Sequence, residues 1–193
     1  MLLQEMSHRV KNKFAIVSSI IGLQARQGSP EVRKALEDIG ARVNVIATVH
    51  NYLQLSRHEG RIEMKEYLTG LSGSLQAALD SGSKSVALAC ECDKVMLTPD
   101  KALAVGVIVN ELVTNAFKYG FEGERSGRVD VRLVYSGGTV TLSVADNGRG
   151  CPEKPREGLG MRLVTTFSQQ LGGSASWKGG AEGGCTVEVT FIA

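Results

Sequence analysis

Glu-Leu-Val-Thr-Asn-Ala-Phe-Lys-Tyr, residues 111–119, ends a run that opens at Pro99 and is largely apolar through Ala102, Val105, Val107, Ile108 and Val109. Proline suits the first turn of a helix, and the length of the apolar run predicts a helix over 99–119. On it Glu111, Asn115 and Lys118 recur at i, i+4 and i+7, so a carboxylate, an amide and an ammonium share one face. Any one of them alone reads best as part of a structural hydrogen-bond network. Together they supply what a metal nucleotide requires: an oxygen ligand for Mg2+, a carboxylate to order its water shell, and a cation near phosphate.

Downstream, residues 128–135 and 139–145 read as strands around Ser136-Gly137-Gly138, a hairpin signal. The second strand runs into Asp146-Asn147-Gly148-Arg149-Gly150. Asn-Gly is a leading turn signal, yet the chain does not return as a strand. It passes two prolines to Gly158-Leu159-Gly160-Met161 and a helix predicted over 159–171. Glycines leading into a helix let backbone N–H groups approach phosphate oxygens, helped by the positive helix end. Residues 174–178 and 186–191 complete the strands around a glycine-rich turn. Strands interleaved with helices predict an α/β sandwich with helices on one face of a mixed sheet.

Upstream the texture differs. Residues 2–27 place Leu3, Met6, Val10, Phe14, Val17 and Ile21 at helical spacing. Gly28-Ser29-Pro30 breaks that pattern, with Ser29 able to cap and Pro30 to open a second helix. Val32, Leu36, Ile39, Val43, Ile46, Val49 and Leu53 form its stripe. Two long helices joined by a short turn predict an antiparallel hairpin, whose apolar face is naturally covered in a four-helix bundle built by two chains. A further helical stretch over 61–80 ends in Asp80-Ser81-Gly82-Ser83, the expected joint between domains 1–80 and 84–193, and 85–92 alternates as a strand. His8 is expected on the solvent side of the first helix, ringed by Arg9, Lys11 and Lys13, which could attract a phosphate or an acidic surface. His50 falls on the apolar stripe, where a packed histidine is expected, and His58 is assigned nothing.

The 193 residues carry 22 basic against 20 acidic side chains, a net +2 that indicates neither a nucleic-acid footprint nor an anionic-membrane patch. Apolar residues at 42% suit a packed globular chain. Cys90, Cys92, Cys151 and Cys185 lack zinc spacing and are expected as reduced, unligated thiols. The opening residues lack the apolar region of a signal peptide, and no run is long enough to span a membrane. A cytoplasmic location is expected, with an upstream sensor region left open.

The motifs Glu-Leu-Val-Thr-Asn-Ala-Phe-Lys-Tyr (111–119), Asp-Asn-Gly-Arg-Gly (146–150), Gly-Leu-Gly-Met-Arg-Leu-Val (158–164) and Gly-Cys-Thr-Val-Glu-Val (184–189) resemble the ATPase domain shared by gyrase, Hsp90, histidine kinases and MutL, the GHKL type. The resemblance implies that Asn115 ligates Mg2+, Glu111 is the N-box acid, Asp146 bonds the adenine amino group, and Gly148 and Gly150 shape that pocket. It further implies that Gly158 and Gly160 belong to the lid over the phosphates and that Thr186 lies near the adenine. Lys118, Tyr119, Leu159 and Met161 complete the implied nucleotide contacts.

Ser-His-Arg-Val-Lys-Asn-Lys (7–13), Leu-Gln-Ala-Arg (23–26) and the segment from Arg42 to His50 resemble the dimerisation and phosphoacceptor region of HisKA_2 histidine kinases, relatives of the HWE group. Asn110 stands where the HWE group has a histidine, and Trp177-Lys178-Gly179 lacks its Trp-x-Glu, so HisKA_2 is the better match. The implied protein is an α+β, two-domain histidine kinase core: ATP phosphorylates His8, and the group passes to a response-regulator receiver domain. It is implied to be a homodimer without nucleic acid. Asn12, one turn after His8, matches the position that orients water for dephosphorylating the regulator. An acid commonly follows the phosphoacceptor; here Arg9 does, leaving Glu5 or Glu111 as bases. The rivals are a phosphotransfer or phosphatase protein of the same shape, whose nucleotide motifs would be eroded, and an anti-sigma-type serine kinase or binding module, which would lack residues 1–56.

Overall fold

The computed structural model describes residues 2–55, 60–79, 86–121, 126–151, 158–179 and 183–193, with the side chains of 2–12 and 49–55 left aside. The chain opens with α1 (Leu2–Gln27) and α2 (Pro30–Leu55), each 26 residues long. They pair as the predicted antiparallel hairpin, with Ser18 Oγ donating to Asn44 Oδ1 at 3.2 Å across it. At the turn the backbone N–H of Val32 donates to Ser29 Oγ, while the Ser29 hydroxyl donates to Glu31, so the capping signal acts where the sequence placed it. Hairpin burial is thin: Ala25 and Val45 are buried, but Ile16, Ile20 and Leu23 are more than half exposed.

A short strand β1 (Ile62–Glu63), which the helical expectation over 61–80 missed, leads into α3 (Met64–Leu79). Glu63 caps α3 by accepting from the N–H groups of Lys65 and Glu66. Then follow β2 (Val86–Cys92), β3 (Met96–Leu97), which pairs with β1, and α4 (Pro99–Asn115). Thr98 caps α4 and Pro99 occupies its first turn. The helix does not stay α through Tyr119 but passes into a π-helical turn, Ala116–Gly120.

Strands β4 (Gly127–Ser136) and β5 (Thr139–Asp146) form the predicted hairpin, with both turn glycines at positive φ. Helix α5 (Leu159–Gln170) and strands β6 (Ser174–Gly179) and β7 (Cys185–Ile192) end the chain. The five-stranded sheet has the order β2-β4-β5-β7-β6, with β2 parallel to β4 and the remaining pairs antiparallel.

Alternation fixes one core face of the sheet. Val129, Val131 and Leu133 of β4, Val140 and Leu142 of β5, and Val189 and Phe191 of β7 join one buried cluster with Tyr67 and Leu68 of α3, Val105 and Ile108 of α4, and Val164 of α5. Three helices on a mixed sheet match the expected sandwich, and α3 shares its core. The predicted joint at 80–83 lies outside the described residues. No described helix is long and apolar enough to cross a membrane.

Candidate nucleotide cleft

Where α2 meets the C-terminal end of α4 the chain forms a cleft of about 950 Å3, within the range of small-molecule sites. Segments distant in sequence wall it: α2, the end of α4 with its π turn, the end of β5 and the loop after it, the start of α5, and residues of β6 and β7. Glu111, Asn115, Lys118 and Tyr119 all line it. A π turn shifts the side-chain register of a helix and is frequent at functional sites. Here it carries Lys118 and Tyr119 on from Asn115.

Glu111 is 7% exposed, so its charge needs partners. Arg42 of α2 supplies a two-pronged one, Nε to Oε1 at 2.8 Å and Nη2 to Oε2 at 3.0 Å. Asn110 Nδ2 adds a third hydrogen bond at 3.2 Å. The carboxylate in turn makes the Arg42 guanidinium still harder to deprotonate. Two turns further on, Lys118 Nζ donates to Asp38 of α2 at 2.7 Å. The sequence placed Lys118 beside phosphate; in this arrangement its cation is taken by the hairpin. Arg42 and Asp38 were not singled out as site residues, because nothing local marks which side chains of one domain will reach across to another.

Asn115 holds the middle of the polar face, its Nδ2 donating to Met161 Sδ at 3.5 Å. That contact joins α4 to the glycine-led start of α5, where Gly158, Leu159, Gly160 and Met161 all line the cleft. Gly160 lies so close to Glu111 that a Cβ there would come within 2.6 Å of Oε2. Gly158 serves as the N-cap of α5 with no side-chain cap bond, so the first turn keeps donor groups on this side.

Asp146 ends β5 at the far wall and accepts from Gly148 N at 2.9 Å. Burial raises its pKa above the ordinary aspartate value, while backbone N–H donation from Gly148 and Cys185 pulls the other way. Gly148 is required by space: a Cβ would meet Gly120 O at 2.3 Å. Gly150 has φ +108°, a left-handed conformation glycine adopts readily. Of the two, Gly150 lines the cleft.

Cys185 and Val187 of β7 line the cleft, with Cys185 paired against Asp146, while Thr186 alternates to the other face of the strand. One expectation is corrected: not all four cysteines are free thiols, because Cys151 and Cys185 are joined by a disulfide with Cα atoms 4.6 Å apart. Only the fold brings these residues together, from 34 positions apart. Cys90 and Cys92 remain free. Trp177 and Arg149 also line the cleft; the first was noted only for a missing motif, the second only as a letter within one.

His8 lies within α1, but its side chain and those of Glu5 and Asn12 are outside the described residues, as is that of His50, while His58 falls outside altogether. Its level on the hairpin follows from the backbone. Asn44 faces Ser18, so Arg42 faces α1 near residue 20; His8 is about 12 residues away, roughly 18 Å along the helix at 1.5 Å per residue. The cleft therefore docks toward the hairpin turn, well away from the histidine.

Residues 5–79 match the family HisKA_2, described as histidine kinase, and residues 100–192 match HATPase_c, described as histidine kinase-, DNA gyrase B- and HSP90-like ATPase. The chain is 29% identical over 188 residues to blue-light-activated histidine kinase 2 of Erythrobacter litoralis, covering 94% of this chain and 54% of that protein. It is 30% identical over 192 residues to the sensor histidine kinase PdtaS of Mycobacterium tuberculosis, covering 96% of this chain and 38% of that protein. The chain thus spans about half or less of the length of these relatives. Among solved structures, the histidine kinase domain of the Erythrobacter litoralis EL346 blue-light activated histidine kinase superposes with a TM-score of 0.73 at 25% identity, covering 98% of this chain and 92% of that one. With a HisKA_2 hairpin joined to a HATPase_c domain along nearly its whole length, this chain belongs to the histidine kinases.

Proposed function

We propose that the chain is the catalytic core of an ATP-dependent protein-histidine kinase of a two-component system, acting in the cytoplasm. Residues 1–80 form the dimerisation and phosphoacceptor part, whose α3 packs into the core of the sheet, and 84–193 the ATP-binding part. The observation that carries the reading is a single cleft in which Glu111, Asn115 and Lys118 face Asp146 and the glycine-led α5, on the same chain as a histidine-bearing hairpin.

Adenine enters between Asp146 and the Gly148–Gly150 loop, its amino group donating to the Asp146 carboxylate. The phosphates extend toward the first turn of α5 and toward Lys118. The donor set also fits Mg2+: Asn115 offers an amide oxygen beside the buried Glu111 carboxylate, the oxygen chemistry a hard cation takes. When bound, the ion neutralises charge on the phosphates. An imidazole nitrogen of His8 then attacks the terminal phosphorus in line. The N–P bond forms as the P–O bond to ADP breaks, and the imidazole proton leaves to solvent or to a carboxylate, Glu5 and Glu111 being the candidates. The phosphoryl group passes to an aspartate of a response-regulator receiver domain, and Asn12 orients water when the regulator is dephosphorylated. Because the cleft docks roughly 18 Å from the level of His8 on the helix rise, transfer requires the ATP domain to leave its contacts with Arg42 and Asp38.

The test is incubation with Mg2+ and γ-labelled ATP, in which acid-labile, base-stable label is expected on the protein. Label should vanish in His8→Ala and in Asn115→Ala. Label surviving the first substitution removes His8 as acceptor; label surviving the second removes Asn115 as the metal ligand.

A further inference from the structure

We propose that Cys151 and Cys185 form a reversible thiol–disulfide site in the wall of the nucleotide cleft, closed by a low-molecular-weight disulfide, and that closing it holds the cleft in its nucleotide-ready shape. The link to nucleotide rests on the function proposed above; the thiol chemistry does not.

The position of the pair carries the inference. Cys151 lies five residues after Asp146 and seven before Gly158, so it joins the adenine-side loop to the stretch leading into the glycine-led helix. Cys185 is the first residue of β7, paired in register with Asp146. Both cysteines line the cleft. The chain before Cys185 is shaped to lie on the loop: Gly183 and Gly184 have φ of +99° and +86°. A Cβ on Gly184 would come within 2.1 Å of Asp146 O, and one on Gly183 within 3.0 Å of Gly148 O. Two backbone segments are thus in direct contact, and their ends are joined with Cα atoms 4.6 Å apart, within the range a disulfide requires. In a reducing compartment such a bond serves as a transient device rather than a permanent staple.

The chemistry balances with the named oxidant. The thiolate of one cysteine attacks a disulfide such as oxidised glutathione, releasing one thiol and leaving a mixed disulfide. The second cysteine's thiolate attacks the protein-side sulfur and releases the other thiol. The protein pair loses two electrons, the oxidant gains them, and the two thiol protons end on the released thiols. Closure fixes Cys151, and with it the Gly148–Gly150 turn, against β7 before nucleotide arrives, and an ordered loop loses less freedom on binding. Reduction releases that end of the loop.

The experiment uses the full chain equilibrated with oxidised or reduced glutathione, with alkylation and peptide mass spectrometry to read each thiol, and calorimetric titration with MgADP. Oxidised protein is expected to protect Cys151 and Cys185 together and to bind MgADP at least threefold more tightly. Cys151→Ser and Cys185→Ser should each abolish the redox difference, while the Cys90→Ser/Cys92→Ser double variant should retain it. Alkylation of Cys151 and Cys185 under oxidising conditions, or equal affinity in both redox states, overturns the proposal while leaving the kinase reading intact. Absence of MgADP binding in either state overturns both.

Discussion

Asp146 shows how one residue can be suited to a ligand at the expense of the fold. Burial sets its pKa above that of an exposed aspartate, so the charged form disfavours the folded state. The sign follows: the penalty applies above the folded-state pKa and fades as pH falls through it. Under the proposed function, adenine recognition would depend on the charged carboxylate and so change the other way. MgADP affinity, followed by calorimetry into the acid range, is expected to fall at a pH above that of an ordinary aspartate. Asp146→Asn should flatten that dependence and weaken binding about tenfold or more, the size of a lost hydrogen bond to a charged group, about 1.5–3 kcal/mol. Its thermal stability should be equal or higher. Gly160 acts through space. The Glu111 carboxylate end could yield to a new Cβ, but Arg42 and Asn110 hold it with three hydrogen bonds. Gly160→Ala is therefore expected to displace the start of α5 and weaken nucleotide binding, with an unfolding cost of about 1 kcal/mol; unchanged MgADP affinity would contradict that geometry.

Between elements, α2 and the end of α4 are joined by two ion pairs of different character. Arg42–Glu111 is largely buried and two-pronged, while Lys118–Asp38 is about one-third exposed on each side. The exposed pair is worth about 0.5–1 kcal/mol after solvent screening. Under the proposed function, nucleotide would have to draw Lys118 away from Asp38 to use it. Asp38→Asn is accordingly expected to raise MgADP affinity about two- to five-fold, the same energy expressed as a binding constant. Unchanged affinity would mean that Lys118 does not serve the nucleotide. The π turn at the end of α4 was not legible, since Pro99 to Tyr119 has the composition of one continuous helix. There Phe121 is buried and Gly120 lies close to Asp146 and Gly148, contacts that no local pattern shows.

At the scale of the molecule, the hairpin leaves Ile16, Ile20 and Leu23 of α1 and Val32 of α2 exposed. Burying an aliphatic side chain of this size stabilises by about 1.5–3 kcal/mol, so the stripe favours a second copy and a four-helix bundle. Ile20→Asp with Leu23→Asp is expected to convert a dimer to a monomer in light scattering while MgADP binding persists, since neither residue lines the cleft. Loss of both together would instead indicate a folding defect.

Local pattern was enough for what local pattern controls. Helical spacing, Ser29-Pro30 and Thr98-Pro99 gave the hairpin and α4; the Gly137-Gly138 turn gave the β4–β5 hairpin; and the polar face at 111, 115 and 118 gave one wall of the cleft. These features depend on side-chain period and backbone preference, which a few neighbouring residues determine. The tertiary structure decided what depends on approach between distant segments. It paired Arg42 with Glu111 and Asp38 with Lys118, turned Cys185 rather than Thr186 toward the cleft, and brought Cys151 to Cys185. A sequence records which groups a chain owns; contact between groups 34 to 80 residues apart exists only once helices and strands have packed.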